Sequence, residues 1–143
     1  MSKKSPAIAA LIAKCHGQVA DAHYLGYFEC FNRQLFYEAH DVLEELWLLD
    51  RRGANGDFFK GLIQLTGAFV HLQKKRPGPA AALFKLADAN LAKYPPTHEH
   101  LALGPVRQLI AAWLQQMAES PGIVLSTLNV PKLSLLESAR SQT

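Results

Sequence analysis

The chain is poor in cysteine, with Cys15 and Cys30 the only two among 143 residues. No CxxC occurs and no His/Cys grouping has zinc-ligand spacing, so neither a disulfide framework nor a structural zinc is indicated; free thiols fit a reducing cytosol. Long hydrophobic runs are also missing, since no uninterrupted apolar stretch approaches the ~20 residues of a membrane span. Ala7 to Ala13 follow Lys3 and Lys4 like the start of a leader peptide, but Lys14 interrupts them and no clean cleavage site follows. A cytoplasmic protein with no membrane segment is therefore expected. Gly-rich phosphate loops, a GxSxG elbow, internal repeats and low-complexity segments are absent as well.

What is present reads as one ordinary globular domain. Hydrophobic residues make up 49% and charged residues 19% of a chain whose length suits a single core. The net charge of +3 permits contact with a polyanion, so the placement of the cations decides. Arg51 and Arg52 precede Gly53, and Lys74, Lys75 and Arg76 precede Pro77 and Gly78; both clusters sit where a helix stops and its dipole favours cations. They fall at opposite ends of a helical hairpin, which disfavours nucleic acid as a partner.

Apolar residues recur three and four apart along the body, without sustained strand-like alternation before Gly122. The fold class expected is all-α, a single-domain bundle of five to six helices with an extended C-terminal arm. The segments predicted are Pro6 to Lys14, Val19 to Asn32, Leu35 to Leu49, Asp57 to Lys75 with Asp57 as N-cap, Ala80 to Lys93, and Pro105 to Ala118. Residues 1–17 form an N-terminal helix or lead, 18–118 the bundle, and 119–143 the arm and a frayed tail from Ser138. Thr97 to Leu103 is expected to be a loop, leaving His98, Glu99 and His100 as exposed polar residues.

Two helices carry polar residues where apolar ones are expected. Around Leu35 to Leu49, Phe36, Ala39, Val42, Leu43, Leu46 and Trp47 share one broad side, while Glu38, Asp41 and Glu45 fall opposite. His40 and Glu44, one turn apart, are bracketed by Phe36 and Trp47 on one flank and Tyr37 and Leu48 on the other. Asp57 to Lys75 is apolar almost all round and so central, except for a seam of Lys60, Gln64, Gly67 and His71. Gly67 leaves room there for another group to approach the backbone. A short loop makes the two helices antiparallel neighbours, so the seams can face each other.

Two readings of such a cluster compete. In one, His40, Glu44, Gln64 and His71 satisfy one another in a hydrogen-bonded network that locks helix register and also holds the Trp47 indole. In the other, they bind a ligand or a divalent metal, two imidazoles and a carboxylate being an adequate open zinc set. Against a metal, no HExxH is present, and Glu38 and His40 lack the Glu-x-x-His spacing of bundle metal sites.

The run Phe31-Asn32, then Phe36-Tyr37-Glu38-Ala39-His40-Asp41-Val42-Leu43-Glu44-Glu45-Leu46-Trp47, resembles the signature of the prokaryotic domain of unknown function 309 family. The similarity continues through Phe59 to Leu65 and His71-Leu72 towards Tyr94. The resemblance implies an all-helical bundle and the label of a predicted metal-dependent hydrolase. Asp41 stands where the family usually has Glu. On the hydrolase reading His40, Glu44 and His71 hold the metal, Glu38 is the catalytic base, and Gln64 orients substrate beside Tyr37, Asp41 and Trp47. The partner is then a small molecule. The rival is a non-catalytic interaction or homo-oligomerising module, using the aromatic run Tyr24 to Phe31 or the arm Ile123 to Leu136.

Overall fold

The computed structural model describes residues 6–9, 21–120, 122, 123, 125 and 129–137. Within them a helical turn at 6–9 precedes five helices: α1 (Ala22–Asn32), α2 (Phe36–Asp50), α3 (Gly56–Gln73), α4 (Pro77–Leu91) and α5 (Leu103–Glu119). The expected remainder of the first helix, the start of the second at Val19 and the tail from Ser138 lie outside the described residues.

Helix starts differ from expectation in ways that local chemistry explains. Asp21 caps α1, its carboxylate accepting from the His23 backbone N–H at 2.7 Å. Asp57 does not cap α3; the helix begins one residue earlier, and Tyr94 supplies the missing acceptor, its hydroxyl taking the Phe58 N–H at 2.9 Å. Helix α4 begins at Pro77, not Ala80, because a proline in the first turn has no N–H to leave unpaired and its φ already suits a helix. Two helices end without glycine: Gln34 and Lys75 adopt φ of 62° and 58°. After each, a six-residue bond closes the turn, Leu35 N to Cys30 O at 2.9 Å and Arg76 N to His71 O at 2.8 Å.

The segment expected as a loop contains a two-residue hairpin, β1 (Thr97–His98) paired antiparallel with β2 (Leu101–Ala102). Glu99 and His100 form its turn with φ of 47° and 60°, the positive pair that a tight hairpin of this hand requires. So short a ribbon carries no alternation that a sequence pattern could reveal.

Five antiparallel or crossing rods meet on one ring. Phe69 of α3 touches Phe31 of α1, Phe36 of α2, Phe84 of α4 and Trp113 of α5, with ring centroids 5.1 to 5.7 Å apart. Contact between Phe36 at the start of α2 and Phe69 near the end of α3 makes those helices antiparallel. The same holds for α3 and α4, where a side chain at Gly61 would meet Leu91 and one at Gly67 would meet Leu83. Helix α5 joins by a 3-4-3-4 stripe of Val106, Ile110, Trp113 and Met117 together with Leu103.

Helix α1 is far more enclosed than its sequence suggests. Tyr24, Leu25, Gly26, Tyr27, Phe28, Cys30 and Phe31 are all buried. Tyr27 spends its hydroxyl on the Leu62 carbonyl at 2.8 Å and Tyr24 on the Glu99 carbonyl at 2.7 Å. Burial pushes both phenols well above their ordinary range, with the Glu99 carboxylate adding to the effect at Tyr24, so they stay protonated donors. The arm lies over the bundle: the Asn32 carboxamide holds both Leu133 backbone groups, at 2.7 and 2.8 Å, and Leu136 N donates to His100 O at 2.9 Å.

Replacing Phe69 by Ala removes aromatic contacts to four helices at once. The expected loss is about 3–5 kcal/mol in denaturant unfolding, whereas Leu86→Ala on the exposed side of α4 changes stability by less than about 1 kcal/mol.

Candidate functional site

On α2 the apolar side forms as expected, with Phe36, Ala39, Val42 and Leu43 buried and Leu46 and Trp47 half-buried against the core. His40 and Glu44 are half-buried beside it. The His40 Nδ1 lies 3.3 Å from Asp41 Oδ1, an ion pair whenever the imidazole is protonated. Asp41, assigned to the wet face by helical projection, is the more enclosed partner at 20% side-chain exposure against 33% for His40. Glu38 is half-buried too, and only Glu45 meets expectation as a solvated carboxylate, 3.2 Å from His23 Nε2 of α1. Tyr37 stands 56% exposed.

The seam of α3 faces a different neighbour from the one expected. Gln64 Oε1 accepts from Asn90 Nδ2 of α4 at 2.8 Å, and the space over Gly67 is taken by Leu83 of α4. The group that approaches the Gly67 backbone is therefore an α4 leucine. Among the described residues, no hydrogen bond joins His40 or Glu44 to Gln64 or His71, and none holds the Trp47 indole. The self-satisfying network is thus not formed. His71 makes the same point from the other side: its Nδ1 is shut off from water without a partner.

Among the described residues no group of three or more His, Cys, Asp or Glu side chains is arranged to hold an ion. His40 is turned to Asp41, Gln64 to α4, and the His71 Nδ1 into the interior. These residues do not fit a three-ligand metal centre.

Among the described residues, surface depressions lie elsewhere, such as a groove of about 570 Å³ between Glu29, Asn32 and the arm and one of about 380 Å³ around Leu48 to Gly53. His98, expected to be an exposed loop residue, packs its ring 4.7 Å from both Phe58 and Tyr94 and bonds Asn55 Oδ1 at 2.6 Å. It helps to close the start of α3. Nothing in its Pro-flanked sequence context signals this, because Phe58 and Asn55 come from about forty positions away.

One polar chain escaped the sequence reading altogether. Lys93 Nζ donates to Asp57 at 2.9 Å and to Asn90 Oδ1 at 3.1 Å, and Asn90 then donates to Gln64. Asn90 and Lys93 are one turn apart, but no spacing rule links them to Asp57 and Gln64, which they meet only because α3 and α4 run antiparallel.

With this geometry in hand, comparison with known proteins adds one finding. Residues 24–90 match the model of the family described as "Domain of unknown function (DUF309)". No curated protein and no solved structure matches the chain.

His71→Leu replaces a ring whose buried nitrogen is unsatisfied with an apolar side chain of similar reach. Stability should rise by about 1 kcal/mol in denaturant unfolding, the cost of an unpaired buried polar group; a fall of that size would mean that the imidazole is held by a bond that matters.

Proposed function

We propose that the stretch resembling the DUF309 family serves a non-catalytic interaction module, and that its docking face is the outward side of α2. The observation that carries this reading is the combination of charge and exposed apolar surface on that one helix. Phe36–Asp50 contains Glu38, Asp41, Glu44, Glu45 and Asp50 and no Lys or Arg, in a chain whose net charge is +3. Tyr37, Asp41, Glu44 and Leu48 follow one another at spacings of four, three and four, which places them on one stripe. Leu48 is 47% and the neighbouring Leu49 84% exposed.

Of the surfaces named for such a role by sequence, the aromatic run of α1 is not offered to a partner. The α1 aromatics are consumed in the core; in the arm Leu133 is buried while Leu136 stands 42% exposed. Apolar anchors beside carboxylates suit a partner segment that presents Lys or Arg between apolar residues, with charge setting orientation and the anchors supplying contact area. Symmetric pairing with the α2 of a second copy would bring like carboxylates together, which costs several kcal/mol and argues for a different chain.

Trp47, half-buried next to this stripe, is a built-in reporter. A synthetic amphipathic Leu/Lys helical peptide should change its fluorescence saturably. Asp41→Lys with Glu44→Lys should weaken binding roughly tenfold or more, as should high salt. An equal response to a Leu/Glu peptide, or indifference to the double charge reversal, would remove the basis for the proposal. A dimer dissociated by Tyr37→Glu would assign the face to a second copy instead.

A further inference from the structure

The amide of Gln64 is held in one orientation by an argument that runs from an unambiguous donor. Lys93 Nζ can only donate, so the Asn90 atom 3.1 Å from it is the carbonyl oxygen, and the Asn90 nitrogen faces Gln64. That nitrogen also only donates, so the Gln64 atom 2.8 Å from it is Oε1. Asp57, 2.9 Å from Lys93, anchors the start of the relay. The Gln64 Nε2 is thereby turned away from α4, has no partner among the described residues, and is not closed off from solvent.

One turn earlier on the same line stands Lys60, exposed and outside every ion pair among the described residues. Beyond Gln64 the line is closed by Leu83 of α4, which lies over Gly67, so the strip open to a ligand runs from Lys60 to Gln64. We infer that Lys60 and Gln64 form a donor site on the outer strip of α3 for an anionic oxygen, a carboxylate or phosphate group. Lys93 and Asn90 act as positioning residues that keep the Gln64 carboxamide presenting N–H and not C=O. The site is independent of the α2 docking face, whose charge is of the opposite sign.

The polarity of Gln64 gives the test. Inorganic phosphate and, separately, acetate are titrated at constant ionic strength against chloride, with proton–nitrogen correlation spectra as the readout. Either anion should saturably shift the Gln64 side-chain NH2 pair and the backbone amides of residues 60–67; the anion that does so identifies the ligand group. Gln64→Glu keeps the acceptor for Asn90 but replaces the outward donor with an oxygen, so the backbone shifts should weaken by roughly tenfold or more in apparent Kd. Lys60→Gln, a surface change that leaves the relay intact, should weaken them as well. Lys93→Met should lessen the response and Lys93→Arg restore it, as a positioning role requires. If neither anion exceeds chloride, or if Gln64→Glu responds as the native protein does, the assignment fails.

Discussion

Phe69 sits where four other helices contribute an aromatic ring, and the arrangement of the domain follows from satisfying that contact. A helix that supplies such a residue must be enclosed on several sides, which is why α3 is apolar over most of its circumference. Once Phe31, Phe36, Phe84 and Trp113 are seated around one ring, the helices bearing them have little freedom left to slide, because edge-to-face and stacked contacts are specific in distance and tilt. Glycines at 61 and 67 then let α4 come close on the side away from α2.

That close approach has a chemical consequence. The polar seam of α3 is drawn to α4, where Asn90 holds Gln64 and Leu83 covers Gly67. His40 and Glu44 of the α2 motif are left on a half-open surface, and the His71 Nδ1 without a partner. A set of residues that looks catalytic as a list becomes, in three dimensions, two separate strips. One is acidic with apolar anchors on α2; the other presents donors on α3. Binding surfaces are commonly made of such unspent polar groups beside exposed apolar ones.

Sequence patterns read the helical elements well and their ends less well. The misplaced starts of α3 and α4 share a cause: capping is supplied by Tyr94 from a distant segment in one case and relieved by prolines in the other. The hairpin at 97–102 and the Asn32 clamp on Leu133 were hidden for a related reason, since both depend on partners that sequence separation conceals. Asp41 was placed on the wet side by projection because a wheel knows only its own helix and not how neighbouring chains crowd its rim.

By itself the sequence determined that this chain is a helical bundle, that the helix expected from Asp57 to Lys75, observed as α3, lies at its centre, and that a motif around His40 sets it beside the DUF309 family. Those conclusions rest on periodicity and residue type, which are local. Only the tertiary structure decided which neighbour each polar seam faces, because the direction in which a helix turns its minority face is set by the total packing of the core. Two glycines and a ring contact outweigh the pairing that hydrogen-bond chemistry alone would favour.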